Sequence, residues 1–126
     1  MSAVRPKPKI LVIEDDAGIR ALIQHALEGA YDVSQAADGA EGIKQARWVQ
    51  PNLILLDLRM PGMDGIEVLA QLKGSKDTSG IPVVIVSGKG DTDALLDGQR
   101  AGAVDHIIKP FDIPDLFKVI HRYILE

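Results

Sequence analysis

The chain contains no cysteine, which excludes disulfide bonds and thiolate metal sites. It also has no apolar run close to the roughly 20 residues that a membrane-spanning helix needs. Residues 1–8 include two prolines and two basic side chains, and they lack the apolar core of a signal peptide. We therefore expect a cytoplasmic protein that is not bound to a membrane, with a flexible N-terminal tail over residues 1–8.

A cluster of lysine and arginine residues is missing as well. The formal net charge is −4, whereas a face that binds nucleic acid normally carries a basic stripe. We expect no direct nucleic-acid partner. With 126 residues, 46% of them hydrophobic and 25% charged, the chain has the size and balance of one globular domain, which we place at residues 9–126.

Apolar runs and helical periodicities alternate along the whole chain. Each of five short runs with strand character is followed by a segment in which apolar residues recur at spacings of three and four. The predicted strands are residues 9–13, 31–36, 53–57, 81–87 and 104–108. The predicted helices are residues 19–27, 38–50, 66–72, 91–101 and 112–125. Five such βα units predict an α/β domain with a doubly wound parallel sheet and helices on both faces.

Some apolar residues of the predicted helices are assigned to the core. In the first helix the spacing places Leu22 and Ile23 on the apolar face, and in the second helix the last inner residue is Val49 or Trp48. Trp48 is interpreted as a packing residue, as are Phe111 and Phe117.

Two of the predicted strands run directly into acidic residues. Four aliphatic residues precede Asp57, and residues 9–13 precede Glu14, Asp15 and Asp16. If these strands are parallel neighbours, the acids share the edge of the sheet at which open α/β sheets bind ligands. Like charges about 4 Å apart repel by roughly 4 kcal/mol per pair at an effective dielectric near 20. Such a cluster requires a cation, and oxygen ligands with room for water favour Mg²⁺.

With these residues in view, the chain resembles the receiver domain of two-component response regulators, and the resemblance covers about Lys9 to Leu125. An acidic pair follows the first strand, and an acid, a hydroxyl and a lysine end the third, fourth and fifth strands. These residues are Glu14-Asp15, Asp57 with Met60-Pro61-Gly62-Met63-Asp64-Gly65 behind it, Ser87, and Lys109-Pro110-Phe111. The resemblance implies a flavodoxin-like sheet of five parallel strands in the order 2-1-3-4-5.

The resemblance also implies the chemistry of the site. Asp57 is the phosphoacceptor, which takes a phosphoryl group from the phosphohistidine of a histidine kinase or phosphotransfer protein. Mg²⁺ is held by Asp15, Asp57 and the backbone carbonyl of Arg59, with Glu14 acting directly or through water. Lys109 supplies a point charge to a phosphoryl oxygen.

Ser87 and His106 are the candidate switch residues. The Ser87 hydroxyl can turn toward an incoming phosphate, and His106 stands where the family usually places an aromatic that changes rotamer, although a solvent-facing histidine is an equal interpretation. Arg59 and Lys89 each lie two residues beyond a site residue and are candidates for setting the phosphate lifetime. Gly98 lowers the stability of the fourth helix by about 1 kcal/mol relative to alanine. We expect phosphorylation to alter the surface of the fourth helix, fifth strand and fifth helix, where a downstream protein docks.

Other interpretations of single residues stay open. Asp57 could cap a loop turn, and Glu14 to Asp16 could cap the first helix, or the metal pair could be Asp15 and Asp16. Lys109 could be an ordinary surface lysine, and Ser87 a simple strand-end hydroxyl.

Three classes of function are compatible with the sequence. The leading one is a signalling switch that catalyses only its own phosphorylation and dephosphorylation, either as a phosphorelay intermediate or as the receiver of a larger regulator. A phosphohydrolase with an aspartyl-phosphate intermediate normally needs a second acid two residues after the nucleophile, where this chain has Arg59. A nucleotide- or flavin-binding module would need a phosphate loop after the first strand, where acids stand instead. A homodimer is also open, since Asp105 and Asp115 occupy suitable positions in an incomplete set of charges.

Overall fold

The computed structural model of the protein describes residues 6–124. Its five strands are β1 Lys9–Ile13, β2 Asp32–Ala36, β3 Leu53–Asp57, β4 Val83–Gly88 and β5 Asp105–Lys109. Its five helices are α1 Ala17–Leu27, α2 Gly39–Val49, α3 Gly65–Gly74, α4 Thr92–Arg100 and α5 Ile113–Tyr123. The predicted alternation of strands and helices is confirmed. Strand β4 begins later than predicted because Pro82 has no N–H for the ladder and the N–H of Ile81 closes a turn onto Thr78.

The five strands form one parallel sheet in the order β2-β1-β3-β4-β5. Every pair of neighbours in this sheet is parallel. This confirms the predicted fold, a doubly wound flavodoxin-like sheet. The order reverses between β1 and β3, and the crevice at such a reversal is where open α/β sheets bind their ligands.

Alternate residues of the central strands are buried on opposite faces of the sheet. Leu11 and Ile54 pack in the core that α2, α3 and α4 cover. Val12 and Leu55 pack in the core that α1 and α5 cover. All residues of β3 are buried, which explains why its sequence is continuously aliphatic rather than alternating.

Four of the helices begin at a capping aspartate. The side chains of Asp16, Asp38, Asp64 and Asp112 each accept the backbone N–H of the residue three positions later. Asp91 precedes α4 in the same way, but its side chain makes no bond to the first turn of that helix.

Gly98 lies where α4 crosses the sheet. A Cβ atom at this position would lie 2.1 Å from Cδ1 of Ile85 on β4. A residue without a side chain therefore lets α4 approach β4 closely. Glycine lowers the intrinsic stability of α4, as the sequence predicts, but it is the residue that this close packing requires.

The predicted packing of Trp48 and Leu22 is wrong. Trp48 is 88% exposed, because it follows the buried Ala46 by two residues and so lies about 200° around the helix from it. Val49 is the half-buried residue of that turn. Leu22 is exposed, and Ile23 forms the inner face of α1 instead. Phe111 and Phe117 pack against the core beside α1 and α5, as predicted.

The predicted N-terminal tail is described only from residue 6. Residues 1–5 lie outside the described residues, as do residues 125–126 at the predicted end of the last helix. The amine of Lys7 donates to the carbonyl of Glu28 at 3.1 Å, and the N–H of Asp32 donates to the carbonyl of Pro8 at 2.9 Å. Hydrogen bonds thus extend to the N-terminal side of Lys9. Within residues 6–124, none of the helices has the length and apolar character needed to cross a membrane.

Candidate functional site

The register of the parallel strands brings the predicted site residues to one edge of the sheet. Glu14 directly follows β1 and is level with Asp57, the last residue of β3. Ser87 of β4 pairs with Ile108 of β5, which precedes Lys109. Since the carboxyl ends of these strands meet at one crevice, two acids, a hydroxyl and an amine are placed together.

Three carboxylates converge in this crevice. One oxygen from each of Glu14, Asp15 and Asp57 lies within 4.8 Å of the other two. Glu14 and Asp57 are buried, whereas Asp15 is exposed. Asp16 lies outside the group, because its side chain accepts the N–H of Ile19 at 3.0 Å and caps α1. This geometry favours the acidic pair Glu14 and Asp15 over the pair shifted by one residue.

Lys109 pairs with two of these acids. Its Nζ donates to Oε1 of Glu14 at 2.7 Å and lies 3.5 Å from Oδ1 of Asp57. Its side chain is only 23% exposed. The peptide between Lys109 and Pro110 is cis. The two carboxylate contacts and the low exposure show that Lys109 is held inside the acidic cluster and is not an ordinary surface lysine.

One ammonium group does not compensate the three acids. Burial raises the pKa of Glu14 above its ordinary value and the neighbouring Asp57 carboxyl raises it further, while Lys109 opposes both. Burial lowers the pKa of Lys109, but the carboxylates of Glu14 and Asp57 outweigh this and raise it overall. The cluster keeps an excess of negative charge that a divalent cation can offset.

Backbone contacts fix the acidic groups in place. The N–H of Arg59 donates to Oδ1 of Asp57 at 3.1 Å. The guanidinium of Arg20 donates to the carbonyl oxygens of Glu14 and Asp15 at 2.7 and 3.0 Å, and so ties the acidic loop to α1. Sequence reasoning missed Arg20, since no motif distinguishes an arginine that folds back onto the loop preceding its helix from one on a solvated helix face.

Ser87 carries an unsatisfied hydroxyl. The residue is buried, and its Oγ has no hydrogen-bond partner among the described residues. Buried hydroxyls are normally hydrogen-bonded. Val86 of β4 pairs with Asp57, and Ser87 is the next residue. Its free hydroxyl is therefore available to an acceptor that arrives at Asp57.

The acids line a cleft of about 310 Å³, whose other walls include Arg59, Gly88 and Asp91. Sequence reasoning missed Asp91 as a site residue, because the sequence marks it only as the residue before a helix. The carboxylate of Asp91 accepts the N–H of Gly88 at 3.2 Å and pairs with the guanidinium of Arg59. Asp91 thus connects the loops that follow β3 and β4.

His106 and Lys89 lie in a different groove. His106 is exposed on β5 and lines this groove together with Lys89 and Phe111. Lys89 does not line the cleft around Asp57, whereas Arg59 does. Of the two candidates for setting the phosphate lifetime, the fold brings only Arg59 to the cleft.

Asp105 is paired within the chain. Its Oδ2 accepts from the Arg122 guanidinium at 3.0 Å and from the Tyr123 hydroxyl at 2.9 Å. Burial alone would raise the pKa of Asp105, but these bonds and the N–H of His106 lower it overall. This acid, a candidate for a dimer contact, therefore ties β5 to α5.

Residues 10–121 match the response regulator receiver domain family. Sporulation initiation phosphotransferase F of Bacillus subtilis is 35% identical over 117 residues, which are 92% of this chain and 93% of that protein. The DNA-binding dual master transcriptional regulator RpaA of a Synechocystis strain is 41% identical over 110 residues, which are 86% of this chain and 46% of RpaA. The chain spans about half the length of RpaA and nearly all of phosphotransferase F.

Solved structures share the whole architecture. The chemotaxis protein CheY4 of Vibrio cholerae superposes with a TM-score of 0.88 at 28% identity, over 94% of this chain and 99% of that one. The receiver domain of the sensor histidine kinase PA1611 of Pseudomonas aeruginosa has a TM-score of 0.84 at 25% identity, over 93% and 97% of the two chains. That structure contains a magnesium ion coordinated in the active site cleft.

Proposed function

The chain belongs to the family of response regulator receiver domains, and we propose that it is a phosphorylation-dependent signalling switch whose phosphoacceptor is Asp57. The position of Asp57 carries this proposal. Its buried carboxylate ends the central strand, lies with Glu14 and Asp15 in a cluster 4.8 Å across, and has the Lys109 amine 3.5 Å away. A nucleophile, a cation and an acidic metal site together are what phosphoryl transfer to a carboxylate needs.

In the proposed reaction, a carboxylate oxygen of Asp57 attacks the phosphorus of a phosphohistidine on a histidine kinase or phosphotransfer protein. The O–P bond forms as the P–N bond breaks, and the electron pair of the P–N bond leaves with the imidazole. The Lys109 ammonium and the Ser87 hydroxyl donate to phosphoryl oxygens. Hydrolysis of the acyl phosphate by water returns Asp57 to its carboxylate form.

The residues of the cleft fit Mg²⁺. Their donor atoms are all oxygens, they converge, and they keep excess negative charge after pairing with Lys109. We propose that Glu14, Asp15 and Asp57 hold the ion together with the backbone carbonyl of Arg59. Bound Mg²⁺ supplies positive charge that offsets the charge on the transferring phosphoryl oxygens. The magnesium ion in the PA1611 receiver domain supports this assignment.

The signal is proposed to leave through the surface formed by α4, β5 and α5, where it reaches a downstream protein. Ser87 lies on β4 and Lys109 ends β5, so both groups that can contact the phosphate belong to strands on this side of the sheet. The Asp105–Arg122 pair connects β5 with α5. Phosphotransferase F, which the chain covers almost completely, supports a role as a phosphorelay intermediate. RpaA, of which the chain covers about half, supports a role as the receiver of a larger regulator.

The identity of the phosphoacceptor is tested by chemical labelling. Acetyl phosphate with Mg²⁺ is expected to add one phosphoryl group that hydroxylamine removes, and Asp57→Asn is expected to abolish the addition because the amide is not a nucleophile of this kind. Intact-mass measurement reads both results. Asp93→Asn, at an exposed position on α4, is the control and should label fully. Full labelling of the Asp57→Asn variant would contradict the proposal.

The metal site is tested by stability. Because Mg²⁺ binds the folded chain, it should stabilise the protein by about 1.4 kcal/mol at ten times its Kd. Asp15→Ala should raise the melting temperature in metal-free buffer, since it relieves repulsion, and should erase the Mg²⁺ effect. Asp16→Ala should lose a helix cap, at a cost of about 1 kcal/mol, yet keep the Mg²⁺ effect. Loss of the Mg²⁺ effect in Asp16→Ala as well as in Asp15→Ala would assign the metal pair to Asp15 and Asp16.

A further inference from the structure

An ion pair between Arg59 and Asp91 connects two loops at the acidic cleft. Arg59 lies between β3 and α3, Asp91 lies between β4 and α4, and both line the cleft that contains Asp57. The Asp91 side chain is 7% exposed and the Arg59 side chain is 76% exposed. The carboxylate is therefore fixed by its surroundings, whereas the guanidinium can move into solvent or to another acceptor with little loss of packing.

Asp91 is used differently from the aspartates that precede the other four helices. They cap the first turn of their helix, but Asp91 makes no capping bond to α4. Its Oδ2 accepts the N–H of Gly88, the last residue of β4, at 3.2 Å, and its Oδ1 accepts from the Arg59 guanidinium. The position before α4 is thus used to hold an arginine of the neighbouring loop.

A phosphoryl group on Asp57 would compete with Asp91 for this guanidinium. The backbone of Arg59 is already bonded to Asp57 through its N–H, so the side chain starts beside the phosphoacceptor. Phosphorylation replaces a single carboxylate charge with a charge near −1.5 to −2 and adds strong acceptor oxygens. A guanidinium matches phosphate oxygens bidentately, in a geometry that a single carboxylate oxygen does not offer.

Building on the proposed role of Asp57, we propose that Asp91 is a positioning residue that holds the Arg59 guanidinium away from the phosphoryl site, and that the guanidinium transfers from Asp91 to the phosphoryl group when Asp57 is phosphorylated. The transfer frees the carboxylate that precedes α4. It gives the site a second connection to α4, in addition to the one through Ser87 and β4.

The competition predicts a thermodynamic cycle. A ligand shifts an equilibrium only by its differential affinity for the two states, so weakening the Arg59–Asp91 pair must favour the phosphoryl-bound arrangement. Asp91→Asn keeps an amide oxygen for the Gly88 N–H and removes the charge that holds Arg59. Arg59→Gln removes the group that is exchanged.

The cycle is measured with beryllofluoride and Mg²⁺, which mimic the phosphoryl group on an aspartate, by titration of amide NMR signals. Asp91→Asn is expected to bind beryllofluoride several-fold more tightly than the unaltered chain. Arg59→Gln is expected to bind about tenfold more weakly, the loss of one charge-assisted hydrogen bond. In the Arg59→Gln background, Asp91→Asn should have no further effect. Asp97→Asn, which makes the same charge change at an exposed position on α4, is the matched control and should not alter the affinity.

The outcomes separate three cases. The transfer is supported if Asp91→Asn binds beryllofluoride more tightly in the unaltered chain but not in the Arg59→Gln background. It is also supported if beryllofluoride shifts the amide signals of residues 91–100 and Arg59→Gln abolishes these shifts while Asp57 is still occupied. Additive effects of the two substitutions, or weaker binding by Asp91→Asn in both backgrounds, would overturn the transfer and leave the proposed function standing. If the unaltered chain binds no beryllofluoride in the presence of Mg²⁺, the proposed function itself fails, and the transfer fails with it.

Discussion

Replacing Gly65 with alanine is expected to destabilise the fold by about 2–3 kcal/mol, although alanine is normally favoured over glycine in a helix. A Cβ atom at Gly65 would lie 2.4 Å from the Cα of Leu58 and 2.7 Å from the carbonyl oxygen of Asp57. Both are backbone atoms at the end of the fully buried strand β3, so they cannot yield as the tip of a side chain can. The N–H of Gly65 also donates to the Leu58 carbonyl at 3.0 Å and holds α3 against this backbone.

The matched control for this prediction is Gly74→Ala in the same helix. A Cβ at Gly74 meets no atom of residues 6–124 within 4 Å, so alanine there is expected to leave stability unchanged or to raise it by up to about 1 kcal/mol. Urea unfolding followed by circular dichroism measures both variants. Because the displaced carbonyl belongs to Asp57, the Gly65 variant should also label more slowly with acetyl phosphate. Equal stability losses in the two variants would show that the backbone contact is not the cause.

The fold was predictable because the sequence patterns are unambiguous in its centre. The aliphatic runs of β1, β3 and β4 have no alternation, and each leads into a helical period, which only a parallel sheet covered on both faces explains. The acids and Lys109 were predictable for the same reason, since they directly follow those strands and the carboxyl ends of parallel strands meet. The distance from Glu14 to Lys109 along the chain was no obstacle, because strand order alone brings them together.

The features that the sequence did not predict depend on contacts between loops or on the phase of a helix. Asp91 was indistinguishable from a helix cap, because its partner Arg59 is 32 residues away on a loop without periodicity. Arg20 is separated from Asp15 by less than two helical turns, yet its contact depends on how the acidic loop folds back. Trp48 was misassigned since it lies near the end of α2, where few apolar neighbours remain to define the inner face.

Replacing Lys109 with methionine is expected to destabilise the metal-free protein by about 3 kcal/mol near pH 8. Among residues 6–124, Lys109 is the basic residue that contacts both Glu14 and Asp57. Removing one partner from a buried ion pair leaves uncompensated charge that costs about 3–5 kcal/mol. A loss at the low end of this range is expected because Asp15 is exposed and water reaches the cleft. Methionine has the length of the four-carbon stem of lysine and lacks only the amine, so the loss measures mainly charge rather than volume.

The loss should depend on pH with a defined sign. The pKa of Glu14 in the fold is raised above its ordinary value of 4.5. A carboxyl with a raised folded pKa favours the fold below its unfolded pKa, and this contribution is lost as the pH rises through the folded pKa. Since Lys109 lowers the pKa of Glu14, its removal raises that pKa further. The Lys109→Met variant should therefore approach the stability of the unaltered chain as the pH falls toward 4.5. At about pH 8, Mg²⁺ should reduce the difference in unfolding free energy between the two proteins.

Urea unfolding at several pH values, with and without Mg²⁺, measures this dependence. Lys44→Met, which removes the same charge from an exposed position on α2, is the control and should cost less than about 0.5 kcal/mol at every pH. If the loss of unfolding free energy in Lys109→Met stayed constant with pH and with Mg²⁺, its cause would be packing around the end of β5. A difference in stability that closes with either protons or Mg²⁺ identifies the buried acids as its source, because a proton, or a metal ion at the proposed site, would neutralise the charge that the lysine leaves behind.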